Sequence, residues 1–180
     1  MQAAAASKAT RWRVALALGL LLGAGNPDSA PAGRITNEPK GFNGYIWGAP
    51  PSAYPALKPL SNLAAAKPLP FVEVYENPGE TLTVNDVTLF PVHYRFYKGR
   101  LWNIQLWYEG RKNREKLMQW VEDNYGRLPA AERKQKQVEW HSENAVITLE
   151  YDRTTDKGRM WFIYLEFSPF DNATTDTTGY

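Results

Sequence analysis

Two histidines are the side chains whose ordinary pKa suits acid–base catalysis near neutral pH. His93 lies in a β-rich run, and His141 ends the segment VEWH ahead of a turn. Neither has a second histidine or a carboxylate at a spacing that defines a metal site, such as two histidines four residues apart on a helix. We therefore predict structural roles for both histidines, with no bound metal and no cofactor.

A covalent mechanism would lack a nucleophile in a recognisable setting. The chain has no cysteine, no G-x-S-x-G motif and no serine at a strand-to-helix turn. Two carboxylates could instead hydrolyse a glycosidic bond. Glutamates do occur in or at the ends of predicted strands: Glu73, Glu76, Glu109, Glu139, Glu150 and Glu166. Because glutamate commonly lines the solvated face of an antiparallel sheet, we predict no catalytic residue.

Aromatic residues are the feature that points most directly to a binding surface. In the run LWNIQLWYE, large apolar residues alternate with other types, as in a strand with one buried face. The face assigned to the core carries Trp102, Ile104, Leu106 and Tyr108. The opposite face carries Asn103, Gln105, Trp107 and Glu109. Trp161 likewise opposes Met160, Phe162 and Tyr164.

Tryptophan beside amide and carboxylate groups on an exposed sheet could stack a sugar ring or dock a partner. The candidate binding residues are Trp107, Gln105, Asn103 and Trp161. In the alternative arrangement, a helix covers one face of the sheet and the proline-rich segment after Trp47-Gly48 covers the other. The pattern alone favours the covered sheet, and the binding face is the hypothesis that an experiment can test.

Strands outnumber helices in the elements that must position these residues. Runs of β-branched and aromatic residues predict strands in the segments FVEVYE, VTLFPVHYRFY, RLWNIQLWYE, QVEWH, AVITLEYD and RMWFIYLEF. Lys98-Gly99 suits a two-residue hairpin turn. Pro91 has no N–H to donate and indicates an edge or a bulge. We predict an α+β fold: an antiparallel β-sheet of about five to six strands with one main α-helix packed on one face.

The segment NREKLMQWVEDNYG predicts that helix. Its apolar stripe comprises Leu117, Trp120, Val121 and Tyr125. The side predicted to point away comprises Glu115, Lys116, Gln119, Glu122 and Asp123. Asn113 suits the N-cap, and Gly126 stands where a left-handed C-cap belongs.

The first 32 residues have the layout of a secretory signal peptide. Lys8, Arg11 and Arg13 form a basic end, an apolar run follows, and Ala30 and Ala32 have the A-x-A spacing of a cleavage site. The apolar run falls short of the roughly 20 residues that cross the hydrocarbon core, so we expect cleavage rather than an uncleaved anchor. The absence of cysteine excludes a lipid-anchored lipoprotein. We predict an exported protein, periplasmic or extracellular, with no membrane span after signal removal.

Net charge argues against nucleic acid as a partner. The whole chain has 21 lysines and arginines against 19 acidic residues, and residues 1–32 hold three of the bases and one of the acids. The remainder is balanced at 18 of each. A balanced chain lacks the broad electropositive surface that binds phosphates.

The predicted organisation is a signal peptide over 1–32, a flexible leader over 33–40, a single α+β domain over 41–168 and a disordered tail over 169–180. The tail is rich in threonine and aspartate and has no apolar periodicity. Since cysteine is absent, packing alone must hold the exported domain together, and buried aromatic rings supply the area.

The stretch GFNGYIWGAP is predicted to be a packing element, a short first strand and turn. No strand precedes it and no Lys-Ser/Thr pair follows it, as a phosphate-binding loop would require. Its rings can insert at the first edge of the core, while Gly44 and Gly48 allow sharp turns.

The order of the motifs resembles a group of small exported bacterial proteins of uncharacterised function. That group opens with F-x-G-x-x-W-G, continues through a Y-K-G-x-L hairpin and has a helix that ends in Y-G before paired strands. The matching positions are Phe42, Gly44, Trp47 and Gly48, then Tyr97 to Leu101, then Tyr125-Gly126. The resemblance spans about 41–167 and implies no activity.

These features favour non-enzymatic binding at the cell envelope. The partner would be another envelope protein or a small ligand, held by the four candidate residues. A second hypothesis is a carbohydrate-binding module or weak glycosidase that uses the aromatic and carboxylate groups of the sheet face. A third is a purely structural role in the envelope.

Overall fold

A computed structural model describes residues 33–60 and 69–169. In chain order the strands are β1 (Gly33–Arg34), β2 (Gly41–Phe42), β3 (Tyr45–Ile46), β4 (Lys58–Pro59), β5 (Val72–Glu76), β6 (Leu82–Val84), β7 (Val87–Leu89), β8 (Val92–Tyr97), β9 (Arg100–Glu109), β10 (Gln137–His141), β11 (Ala145–Asp152) and β12 (Lys157–Tyr164). The one α-helix of the described ranges, α1, spans Arg111–Tyr125.

Eight of these strands form the main sheet, in the order β1-β10-β11-β12-β9-β8-β5-β4. Neighbouring strands are antiparallel except β1 and β10, which are parallel. The α+β class is confirmed, but the expectation of five to six antiparallel strands is wrong, because the sheet is larger and mixed. The additional strands β1 and β4 have two residues each, too few to show an alternating pattern.

The central strands β8 and β9 are joined by the hairpin turn that the sequence predicts. Lys98 and Gly99 have φ angles of 48° and 73°, as in a type I′ turn, whose twist matches that of the flanking strands. Pro91 separates β7 from β8, and β7 pairs with β6 in a separate hairpin. The β8–β9 register shifts between Arg95 and Phe96, so a bulge occurs a few residues beyond the proline.

Helix α1 packs on one face of the sheet, which we call the core face. Leu117 and Val121 are buried there, as the apolar stripe predicts. The Trp120 ring meets Phe162 of β12 edge-on, with 6.3 Å between the ring centroids. Phe162 also stacks on Phe42 of β2 at 4.6 Å. Helix, sheet and the β2–β3 hairpin therefore share one aromatic core.

Both ends of α1 differ from the predicted caps. The helix begins at Arg111, so Asn113 lies inside it and donates a side-chain hydrogen bond to the Glu109 carbonyl at 2.7 Å. Gly126 follows the last helical residue, but its φ of 139° lies well outside the left-handed helical region. A Cβ at Gly126 would stand 2.2 Å from the Arg34 carbonyl oxygen. Close backbone approach, in addition to the φ angle, therefore requires glycine here.

Glu122 of α1 is buried, although the sequence pattern assigns it to the solvent side. Its carboxylate accepts hydrogen bonds from the Leu128 backbone N–H at 3.0 Å and from the Arg133 guanidinium. These donors belong to the connector that follows the helix. The connector thus shields a carboxylate that the isolated helix would expose.

The segment GFNGYIWGAP is the packing element that its composition predicts. Its strands β2 and β3 pair around Asn43-Gly44, whose φ angles are 51° and 83°. Phe42, Tyr45 and Trp47 are buried. The Tyr45 ring stacks on Tyr94 of β8 with 4.0 Å between centroids, so the segment covers part of the core face.

Residues 33–40, predicted as a flexible leader, make regular contacts with the domain. After β1, the Ile35 N–H donates to the His141 carbonyl at 2.8 Å, and the Pro39 carbonyl accepts a hydrogen bond from the Trp47 indole at 2.7 Å. Residues 1–32 and 170–180, which hold the predicted signal peptide and most of the predicted tail, lie outside the described residues. Within the described ranges, no helix has the length and apolar character that a membrane crossing requires.

Candidate functional site

The sheet face opposite α1, which we call the outer face, carries a group of polar and aromatic side chains on the central strands. Its members alternate with core residues: His93, Arg95, Asn103, Gln105, Trp107, Thr148, Glu150, Arg159 and Trp161. The strand register sets them in rows, one of which runs Thr148, Trp161, Gln105 and His93. The four candidate binding residues therefore share one face, as the alternation predicts.

The described part of the proline-rich segment packs on the core face. Tyr54 contacts Tyr45 with 4.6 Å between ring centroids, and Leu57 belongs to the same buried cluster as the core residues of the sheet. The arrangement in which this segment covers the outer face is therefore wrong for residues 49–60. Residues 61–68 lie outside the described part of the chain.

Asn103 and Gln105 are buried, which corrects the expectation of exposed amides. Each is 4% exposed, because β9 is a central strand with large side chains on both sides. The Asn103 amide donates to the Phe162 carbonyl at 3.0 Å, and the Gln105 carbonyl oxygen accepts from Arg95 at 2.8 Å. The two amides therefore link β9 to its neighbouring strands, and the larger side chains beside them form most of the surface of the outer face.

Arg95 carries the unbalanced charge of the outer face. Its guanidinium donates to the neutral amide of Gln105, and the described residues place no carboxylate in an ion pair with it. Within the same residues, its buried Nε has no hydrogen-bond partner. Burial, followed by the charge of Arg159, lowers the pKa of Arg95. A partly buried cation held by a neutral group is costly, so it would gain from an incoming anion.

Trp107 and His93 form an aromatic pair beside Arg95. Their rings meet edge to face with 4.5 Å between centroids, and Trp107 keeps part of its surface exposed. Burial, followed by the charge of Arg95, lowers the pKa of His93 to about 4. The imidazole is therefore neutral at neutral pH, and the pair presents an aromatic surface without charge.

Arg159 covers one side of the Trp161 ring. The guanidinium carbon of Arg159 lies 4.7 Å from the Trp161 ring centroid, and the same guanidinium donates to Glu150 at 2.6 Å. Lys136 adds a second cation 3.8 Å from that carboxylate. Unlike Arg95, Arg159 is thus neutralised within the protein.

Glu139 and His141 form a separate polar pair on β10, where the His141 Nε2 lies 2.9 Å from the Glu139 Oε2. This hydrogen bond is the main reason that the pKa of Glu139 is lowered. The general acid of a glycosidase must keep its proton near neutral pH, which requires a raised pKa. Glu139 is therefore unsuited to that role. In the described ranges, no three His, Asp or Glu side chains are grouped closely enough to hold a metal ion.

The lowered pKa of His93 predicts a pH-dependent loss of stability. Because the folded protein holds His93 neutral, its contribution is complete above pH 6.5 and is lost as pH falls toward about 4. Denaturant unfolding at about pH 7 and about pH 4.5 measures this loss. Between the two pH values, we expect the free energy of unfolding of His93→Gln to fall by about 1–2 kcal/mol less than that of wild type. An equal loss in wild type and His93→Gln would contradict the assignment.

Arg95 and His93 are site residues that the aromatic pattern does not select. The signal that could find them is the hairpin turn at Lys98-Gly99, which sets β8 against β9. In the observed register, Arg95 lies opposite Asn103 and His93 lies opposite Gln105. A polar pattern read across both strands of the hairpin, rather than along one strand, would include them.

Comparison with known proteins leaves the outer face to be interpreted from its own chemistry. No family model, no curated protein and no solved structure matches this chain.

Proposed function

We propose that this chain is an exported, non-enzymatic binding protein that holds a small ligand or an envelope partner on its outer face. The observation that carries the proposal is the partly buried Arg95, which no described carboxylate neutralises. Buried polar groups without partners reduce stability. Natural proteins accept such costs mainly at functional sites, and here the cost falls on the same sheet face as the partly exposed Trp107.

Export is part of the proposal and rests on the basic, apolar and small-residue pattern of 1–32. Binding without catalysis is supported by the chemistry of the face. Its neutral His93, its hydrogen-bonded amides and the neutralised Arg159 are groups that position one another. Such a rigid, partly buried surface is suited to holding a ligand.

Replacing Trp107 by alanine should abolish binding and leave the fold intact. Trp107 is partly exposed, so its loss should reduce the free energy of unfolding by only about 1 kcal/mol. Immobilised wild-type protein should retain a partner or ligand from an envelope extract, and the Trp107→Ala protein should not. Thermal unfolding of both proteins shows whether the variant is folded.

The matched control is Phe71→Ala. Phe71 is 73% exposed and its carbonyl accepts a hydrogen bond from Lys98, at the hairpin end of β8 and β9 away from Trp107. This variant should bind as wild type does. A Trp107→Ala protein that unfolds many degrees lower would assign Trp107 to the core, and equal retention by all three proteins would refute the binding face.

A carbohydrate-binding module is the second candidate, because two tryptophans lie close together on one face. Trp107 stands opposite Arg159, and Trp161 follows two residues later on β12, so the two residues are diagonal neighbours in the sheet, with roughly 7–8 Å between their positions. Hydrolysis has less support than binding. Glu139 has a lowered pKa, and Glu150 is engaged by two cations.

A further inference from the structure

We infer that the ligand of the outer face is an acidic sugar, a ring that carries a carboxylate, with Arg95 pairing with the carboxylate and Trp107 contacting the ring. This inference rests on the proposed function and narrows it to one ligand chemistry. Three properties of the face lead to it: the sign of its unbalanced charge, the number of free cations, and the shape of the neighbouring surface.

The unbalanced charge around Arg95 is positive. Arg159 and Glu150 neutralise each other, with Lys136 nearby, whereas the side-chain hydrogen bond that Arg95 makes within the described residues goes to the neutral oxygen of Gln105. Arg95 is partly exposed, so an anion approaching from solvent can reach it. An ion pair formed there would offset the repulsion that Arg95 experiences from Arg159. The chemistry of the face therefore selects an anionic ligand.

A carboxylate fits this charge better than a phosphate. A phosphate carries up to two negative charges and is normally held by more than one cation or by several backbone N–H groups. The described residues of the outer face offer one unneutralised guanidinium, and the N–H groups of a sheet interior are engaged in strand pairing. One guanidinium matches the single charge and planar geometry of a carboxylate.

The surface beyond His93, on the side away from Arg95, fits a ring. Trp107 is partly exposed and is held by its edge-to-face contact with His93, which is neutral at neutral pH. Sugars stack their apolar face on such a ring, and an aromatic pocket with a few polar groups is typical of small-ligand sites. On the outer face the His93–Gln105 row lies between Arg95 and Trp107, so a chain of acidic sugars could stack one ring on Trp107 and extend a carboxylate across that row to Arg95.

The test compares an acidic sugar with its uncharged ester. Trigalacturonate and its neutral methyl ester are titrated against the purified full-length chain, with calorimetry and tryptophan fluorescence as readouts. We expect the acid to bind about ten- to hundredfold more tightly than the ester, and we expect inorganic phosphate not to compete. Equal affinities for acid and ester, or binding of neither, would overturn the inference, as would displacement of the acid by phosphate.

Variants locate the charge effect. Arg95→Gln should bind the acid no more tightly than the ester. Arg95→Lys should keep part of the preference for the acid, because lysine keeps the charge without the planar guanidinium. Arg100→Gln removes the same charge from an exposed position over Phe167 and should change affinity less than twofold. A folded Arg95→Gln protein that prefers the acid as wild type does would overturn the inference. If the acid and the ester bound equally while retention of a partner or ligand still depended on Trp107, the inference would be wrong and the proposed function would stand.

Discussion

Replacing Phe162 by alanine is expected to lower the free energy of unfolding by about 3–5 kcal/mol. Phe162 has no exposed surface, and rings from two other elements surround it. Phe42 of β2 stacks on it at 4.6 Å, and Trp120 and Tyr125 of α1 meet it edge-on at 6.3 and 5.9 Å. Because these rings are also packed against one another, no single one can move into the cavity. Denaturant unfolding followed by tryptophan fluorescence measures the loss.

The matched control is Ile163→Ala, on the next residue of the same strand. Ile163 is partly exposed and lies on the outer face, so its truncation should cost about 1 kcal/mol. Comparable losses at positions 162 and 163 would show that the helix-covered face is not the main source of stability. The Phe162→Leu protein, which keeps most of the volume, should lose less than Phe162→Ala.

Gly126→Ala is expected to cost about 3–5 kcal/mol, the second large effect. Two penalties combine at this position. The φ of 139° is one that residues with a Cβ rarely adopt, and the new Cβ would stand 2.2 Å from the Arg34 carbonyl oxygen. Relief of the clash requires either the helix end or the β1 region to shift, which would weaken the parallel β1–β10 pairing. Chemical denaturation of the variant measures the cost.

Gly44→Ala separates the two penalties. Gly44 also has positive φ, 83°, but a Cβ there would meet no atom within 4 Å. Its substitution should therefore cost only the backbone strain, about 1–2 kcal/mol. If Gly126→Ala and Gly44→Ala proved equally stable, the close approach between Gly126 and Arg34 would be refuted.

The sequence predicts those parts of the fold whose residues show a period. The six longer strands of the sheet and α1 each contain enough residues for alternation or a helical stripe to be visible. β1 and β4 depend on backbone pairing alone, so their side chains give no signal. Glu122 is similar: its burial depends on Leu128 and Arg133 in the following connector, and no property of the helix itself indicates them.

The candidate site could be predicted in its location but not in its electrostatics. Alternation along β9 places Asn103, Gln105 and Trp107 together on one face, as the structure has them. Whether these residues are exposed depends on what stands beside them on β8 and β12, which is a matter of register. The unbalanced charge of Arg95 likewise depends on the side chains of the neighbouring strands as well as its own. Among the described residues, these strands place no carboxylate close to it.

The edge strand β4 reduces the tendency of the sheet to pair with a second copy of the chain. β4 consists of Lys58 and Pro59, both exposed. Proline cannot donate a hydrogen bond, and lysine would be desolvated by an added strand, so this border offers a poor template for another chain. Growth of the sheet into fibrils is thereby discouraged at β4, which protects a chain that has no cysteine with which to cross-link its fold.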